Sequence, residues 1–295
     1  MTCVTTRSTG ASWRSLTMLP AAPLPALRAA MGMALWLVMG MAVMAALAWP
    51  GPARAAIGGL PTNVGHTDGS PEWEKLRARL FGSKSIQATP SQVQIIVPLR
   101  AAYGASVPVK VVSKLPQTPQ LYVKKLWLLV DKNPSPLAAV LDLTPDVGQA
   151  DFETRLRVDE YSHVRVIVEL SNGELHMDSR YVKVSGGCSA PPNRDQLALI
   201  GRTAMKLPDG LHLNSPTPVD LSVIHPNDTG FELNAVTVMY IPPHFVRSIK
   251  VSYGDHKVFD AELDFSISEN PSLRFNFVPQ QGGATLRAEV EDSKE

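Results

Sequence analysis

From residue 93 onward the chain is a succession of short apolar runs cut by Pro, Gly, Asn and Asp, and that spacing points to an all-β fold. The first block of runs spans residues 93–99, 107–112, 121–130, 137–143, 152–158, 164–170 and 175–184. Short strands at such intervals predict a β-sandwich, and no cysteine pair is present to staple it as in antibody domains. A second block repeats the pattern at 219–225, 236–241, 245–253, 257–263, 273–277 and 284–290, which predicts a second sandwich in tandem. Between the blocks, residues 194–206 carry Leu197, Leu199, Ile200 and Met205 at spacings that fit either a strand or a short helix.

The N-terminal part has a different character. Arg7, Arg14 and Arg28 precede a charge-free, apolar stretch over residues 29–53, which ends in Pro50-Gly-Pro-Ala53-Arg54-Ala55. A basic start, an apolar core and an Ala-x-Ala-like end predict an export signal over residues 1–55, with translation starting at Met1 or at Met18 or Met31. The core is long enough to span a bilayer, so an uncleaved anchor is the alternative. Without those residues the chain keeps 24 basic and 27 acidic side chains, because the leader holds four of the 28 Lys and Arg and no acid. A mildly acidic remainder carries no basic patch for nucleic acid.

Residues 56–69 are rich in Gly, Thr, Asn and Asp and predict a flexible arm. Ser70 and Pro71 then open an amphipathic helix that ends at Gly82, with acids in its first turn and Trp73, Leu76, Leu80 and Phe81 on one face. Further on, Asn172-Gly173 predicts a two-residue type I′ turn. That turn sets Leu170 opposite Leu175, Val168 opposite Met177 and Val164 opposite Tyr181, with Glu169 opposite His176 on the outer face. A charged pair across exposed strands contributes only about 0.2–1 kcal/mol, so Glu169 and His176 read as a solvated pair rather than a catalytic couple.

Cys188 is the one cysteine beyond the leader, and it sits in Val184-Ser-Gly186-Gly187-Cys188-Ser-Ala-Pro191-Pro192. The glycines free the backbone before the thiol and the prolines block helix or central strand after it. The flanks therefore favour a displayed thiol over a core cysteine. A single cysteine in an exported protein suggests intermolecular pairing or a thiol with a chemical task.

Other chemistries leave no signature. The histidines at 66, 163, 176, 212, 225, 244 and 256 form no paired metal-ligand spacing, so no metal and no cofactor is expected. There is no nucleophile elbow, phosphate loop or dinucleotide fingerprint. A cysteine nucleophile needs a fixed base beside it, which a Gly-Gly linker does not supply, so the thiol reads as a carrier and the chain as a non-enzyme.

Taken together, the helix ending in Leu80-Phe81-Gly82, the Ala105-Ser-Val-Pro-Val109 strand entry, Val130-Asp131-Lys132-Asn133-Pro134 and the Gly186-Gly187-Cys188 close resemble the SoxY subunit of the sulfur-oxidation carrier. The second block resembles SoxZ through Ile224-His225-Pro226-Asn-Asp-Thr-Gly230, Ile241-Pro-Pro-His244-Phe245 and Ser268-Glu-Asn270-Pro271. The whole resembles the fused SoxYZ-like carriers associated with quinoprotein dehydrogenases.

That resemblance implies two immunoglobulin-like sandwiches, SoxY-like over 70–190 and SoxZ-like over 191–295, in a periplasmic protein of thiosulfate oxidation. It implies Cys188 as the covalent attachment site for a sulfur intermediate, with Gly186 and Gly187 as the swivel. The implied partners are periplasmic sulfur-oxidation enzymes or a quinoprotein (PQQ) dehydrogenase system, with membrane contact only through an uncleaved leader. The alternative is a non-catalytic module that docks such a dehydrogenase or its cytochrome. The family arm is C-terminal, whereas here Pro191-Pro192 follows and the chain continues. His225 and Asn270 read as structural, one closing a strand and the other opening a turn.

Overall fold

The computed structural model describes residues 69–294, so the predicted export signal and all but the last residue of the predicted arm lie outside the described residues. The predicted helix forms as α1 (Pro71–Phe81), with Ser70 Oγ accepting from the Trp73 N–H at 3.0 Å and Gly82 closing it at φ 58°. Its apolar face, Trp73, Leu76 and Phe81, is buried on Leu129, Ile167 and Leu175. Beneath Trp73 the guanidinium of Arg165 lies 4.5 Å from the ring. Arg165 donates to both oxygens of Asp131, at 2.8 and 2.7 Å, and Asp131 Oδ2 also accepts from Ser70 Oγ at 3.1 Å. The Val130-Asp131-Lys132-Asn133 stretch thus anchors the helix through a buried ion pair.

Fourteen strands follow: β1 (Ile86–Ala88), β2 (Val93–Ile96), β3 (Val107–Ser113), β4 (Val123–Val130), β5 (Leu137–Leu143), β6 (Phe152–Leu156), β7 (Ser162–Leu170), β8 (Leu175–Val182), β9 (Thr203–Lys206), β10 (Thr217–Val223), β11 (Val246–Tyr253), β12 (His256–Leu263), β13 (Ser272–Phe277) and β14 (Leu286–Asp292). They build an eight-stranded sheet in the order β1-β8-β7-β4-β5-β12-β11-β14 and a six-stranded sheet in the order β2-β3-β6-β13-β10-β9. The predicted all-β sandwich is present, with a layout that differs from two separate sandwiches.

Both sheets run through the boundary between the two halves. Strand β5 pairs antiparallel with β12 from Ala139↔Leu263 to Leu143↔Phe259, and β6 meets β13 at Glu153↔Arg274. One apolar core accordingly includes Val109, Leu126 and Val168 from the first half and Leu221, Val251 and Phe275 from the second. The physical reason lies in the edges. Each half alone would present an unpaired strand, a template for association, and here each half covers the open edge of the other.

Strand β7 is buried at every position because α1 covers the face of Ile167 while the opposite sheet covers Val164, Val166, Val168 and Leu170.

Three further sequence expectations change. The β7–β8 hairpin pairs Ile167 with Met177 and Val168 with His176, one residue away from the expected register. Its loop has three residues. Gly173 N–H donates to Leu170 O at 2.9 Å, Leu170 N–H to Glu174 O at 2.9 Å, and Gly173 takes φ 92° while Asn172 does not take a positive φ. A type I′ turn needs positive φ at both central residues, so Asn172 excludes it. Because side chains alternate, the slip moves Glu169 and His176 to opposite faces, and their expected pair does not form. Glu169 instead meets Lys124 at 3.3 Å and Lys84 at 3.5 Å, and His176 Nδ1 lies 3.0 Å from Thr89 Oγ1.

Second, residues 236–241 form no strand. The Asn234 side chain accepts from the N–H groups of Val236 and Thr237 at 2.9 and 3.0 Å, and Val238 takes φ 55°, so the segment closes as a loop with Val236, Val238, Met239 and Tyr240 exposed. Third, residues 194–206 resolve into a 3-10 turn over Leu197–Leu199 and then β9, so both readings hold in part.

Candidate functional site

Cys188 lies in a turn where the two halves meet, and it is 1% exposed rather than displayed. Its backbone is held from both sides. From the first half, Gly186 N–H donates to Asp159 O at 2.8 Å, Gly187 N–H to Val158 O at 3.1 Å and Cys188 N–H to Asp159 Oδ1 at 3.0 Å. From the second half, Thr229 Oγ1 donates to Cys188 O at 2.6 Å. Arg157, 1% exposed, donates from Nη1 to Gly187 O at 2.9 Å and Ala190 O at 3.2 Å, and from Nη2 to Asn227 O at 3.4 Å.

The two glycines do different work. Gly187 packs backbone against backbone, where a Cβ would run into the carbonyl oxygens of Gly104 and Val158. Gly104 is the counterpart: a Cβ there would come within 2.7 Å of Ser185 O and 2.8 Å of Val158 O. Gly187 therefore locks the turn by close approach. Gly186 sits at φ 74° with open space around it, so its conformational freedom is what the turn uses. In this closed arrangement both glycines shape the turn that holds Cys188.

The environment disfavours the thiolate. Burial, then the charge of Asp159, pushes the Cys188 thiol up to about 12, with Arg157 acting in the opposite direction and Asp264 adding to the rise. Burial also lowers the guanidinium of Arg157, partly countered by the charge a Cys188 thiolate would carry. As it stands, the site protects a thiol from solvent and from reagents that need a thiolate.

Residues from the two matched motifs assemble this site. Asn133 donates from Nδ2 to Arg157 O at 2.8 Å and to Ser266 Oγ at 3.0 Å, and its Oδ1 accepts from Asp159 N–H at 2.9 Å. One side chain thus orients the segment under Cys188 and ties it to the second half. Asn227, at φ 48°, donates to Ile267 O at 3.1 Å and accepts from Val246 N–H at 3.1 Å, which presents its own carbonyl to Arg157. Asp228 pairs with Arg194 at 2.6 Å. His225 and Asn270 hold each other: Asn270 Oδ1 accepts from His225 N–H at 3.1 Å and Asn270 N–H donates to His225 O at 2.7 Å. Their reading as structural residues fits these contacts.

A second cluster went unseen in the sequence. His225 Nε2 and His244 Nε2 lie 3.3 Å apart, and Asp292 Oδ2 is 3.6 Å from the first and 2.9 Å from the second. The spacing would suit three ligands of one ion. The proton positions argue otherwise, because Asn227 N–H donates to His225 Nδ1 at 3.0 Å and so leaves the ring proton on Nε2. His225 then offers the cluster a hydrogen, not a lone pair. Burial and the neighbouring His244 lower the pKa of His225. Asp292, although burial acts to raise it, is held below the ordinary carboxylate value by the hydrogen bond from His244. Three separate elements contribute one residue each, so no spacing rule could find the cluster.

Arg157, Asp159, Thr229 and Gly104 were likewise missed. The available signal was weak: an Arg between Leu156 and Val158 at the end of an apolar run.

Comparison with known proteins follows the same division. Residues 77–188 match the model of the sulfur oxidation protein SoxY, and residues 205–295 match that of the sulphur oxidation protein SoxZ. The chain is similar to the sulfur carrier protein SoxY from Chlorobium limicola f thiosulfatophilum, at 29% identity over 38% of this chain and 91% of that one, with a TM-score of 0.33. It is also similar to superoxide reductase (neelaredoxin) from Ignicoccus hospitalis, at 14% identity over 32% of this chain and 80% of that one, with a TM-score of 0.29. No curated protein matches. With SoxY and SoxZ matched in tandem along one polypeptide, the chain belongs to the fused SoxYZ-like family of sulfur-oxidation carrier proteins.

Proposed function

We propose that the chain is a periplasmic carrier that holds a sulfur intermediate covalently on Cys188 and presents it to partner enzymes, without catalytic activity of its own. The observation that carries the reading is that the SoxY match runs to Cys188 itself, the residue at which the resemblance of the Gly186-Gly187-Cys188 close places the attachment site. Loading then requires the turn over Gly186–Ala190 to lift, because the closed turn hides the sulfur. The test is the intact mass of the protein taken from periplasm without reductant, repeated after reduction. A reductant-labile adduct of sulfur and oxygen on Cys188 is expected. An unmodified thiol, together with unchanged pathway flux in Cys188→Ser, sinks the proposal.

One observation favours a second reading. The loop that starts beside Thr229 exposes Phe231, Leu233, Val236, Val238, Met239 and Tyr240, an apolar surface typical of contact sites. A module that docks a quinoprotein (PQQ) dehydrogenase or its cytochrome would use such a loop and leave Cys188 closed. Pull-down of a periplasmic partner that survives Cys188→Ala and is lost in Val236→Asp/Met239→Asp supports this second reading; loss in Cys188→Ala opposes it.

A further inference from the structure

Arg157 is a buried cation that no carboxylate among the described residues contacts, although the charges of Glu269 and Asp228 reach it. Among the described residues no carboxylate pairs with it, its Nη groups are bound only to main-chain carbonyls, and its Nε has no hydrogen-bond partner. A charge taken out of water is expensive unless it is paired, and carbonyl dipoles compensate it only in part. Two of those carbonyls, Gly187 O and Ala190 O, flank Cys188 in sequence. The guanidinium therefore lies along the cysteine's own turn.

When the turn lifts, Nη1 loses both carbonyls, and the exposed fork needs other acceptors. A neutral group on sulfur restores at most dipoles. An oxyanion restores a charge-assisted, bidentate contact, which is the geometry a guanidinium fork fits best.

We propose that Arg157 is the positioning residue for an anionic, oxygen-bearing head group on Cys188, holding the loaded turn against the protein and discriminating against neutral or cationic adducts. This inference rests on the carrier reading of Cys188. The carboxylates whose charge reaches the sulfur, Asp159 and Asp264, act against an anion there. The head group is accordingly assigned to the Arg157 side of the turn, away from the Asp159 oxygen that binds Cys188 N–H.

The test loads Cys188 of the full chain with two methanethiosulfonate reagents of similar length, one ending in sulfonate and the other in trimethylammonium. In both, the Cys188 thiolate attacks the reagent's thiol sulfur, a new S–S bond forms, and methanesulfinate leaves with the electron pair of the broken bond. Only the charge at the far end differs. The sulfonate-loaded wild type is expected to melt higher than the ammonium-loaded one by roughly 4–8 °C, the size of a charge-assisted contact in a chain of this length. The gap is expected to close in Arg157→Gln.

Equal melting or the reverse order in wild type overturns the proposal, and so does a gap that persists undiminished in Arg157→Gln. Should that variant not fold, the wild type still decides. A neutral phosphine should strip the sulfonate adduct at least about ten-fold more slowly than the ammonium adduct, relative to the same adducts on unfolded chain, and equal relative rates overturn the assignment. None of these readouts uses the native cargo. A chain that shows the charge preference but carries no adduct in periplasm would refute the carrier reading while leaving the Arg157 contact intact.

Discussion

Thr229→Val is the sharpest test of the closed turn. The hydroxyl donates to Cys188 O at 2.6 Å and accepts from Phe231 N–H at 3.2 Å, and valine keeps the shape while removing both bonds. With the thiol pushed up to about 12, the thiolate fraction at pH 7 is on the order of 10⁻⁵ in the closed state, against a few per cent for an ordinary cysteine. Alkylation then runs through the open state, and its rate is the opening constant multiplied by the rate of a free thiol. Removing a buried hydrogen bond and stranding its acceptor costs about 1–2 kcal/mol, which raises the opening constant roughly 5–30-fold. The assay is iodoacetamide labelling near neutral pH followed by intact mass, with the urea-unfolded chain as the free-thiol reference. A wild type that labels as fast as its unfolded chain, or a Thr229→Val rate within two-fold of wild type, refutes the closed-turn argument.

The remaining tests address the same architecture from other sides. The folded thiol has a pKa above its unfolded value, so its contribution to stability is complete below about pH 8.5 and declines as pH rises toward 12, by up to about 1.4 kcal/mol per pH unit; denaturation of the reduced protein should show this alkaline loss, and Cys188→Ala should lack it. Gly187→Ala should destabilise the chain well beyond Gly186→Ala, for which left-handed backbone alone costs about 1–2 kcal/mol, as read by denaturant midpoints; equal effects would refute the close-packing role of Gly187. Arg165→Met leaves Asp131 buried and unpaired and should cost about 3–5 kcal/mol, with loss of the Trp73 environment in near-UV circular dichroism.

Local chemistry made much of the fold legible. Ser70, Pro71 and Gly82 mark the helix because caps and fixed φ act within a few residues. Most strands appear where apolar runs end at turn formers. The Asn172-Gly173 register failed because the dipeptide allows a three-residue loop as readily as a two-residue one, and nothing local chooses between them. Residues 236–241 failed because an apolar run does not say whether a core is within reach. Joined sheets could not be read at all, since β5 meets β12 across more than a hundred residues of chain. The same applies to the site: Gly186-Gly187-Cys188 stands out in sequence, while Arg157 and Asp159 reach the turn from about thirty residues upstream and Thr229 reaches it from the second half, beyond the range of any local pattern.

The tether sets a limit on what the cysteine can do once released. Lys183 N–H is fixed to Leu99 O at 2.8 Å, and Asn193 N–H to Glu269 Oε2 at 2.7 Å, so the stretch that can lift without unzipping these anchors runs from Val184 to Pro192. About nine residues of extended chain span roughly 30 Å, and a loop fixed at both ends projects at most half of that, about 15 Å. An arm with one free end would project the whole length. Pro191 and Pro192 stiffen the returning limb and shorten the reach further. On the carrier reading, a partner acting on Cys188 would therefore have to bring its reacting groups to the surface of this protein, beside the exposed apolar loop that begins at Phe231 and is hydrogen-bonded through Thr229 to the cysteine's own carbonyl.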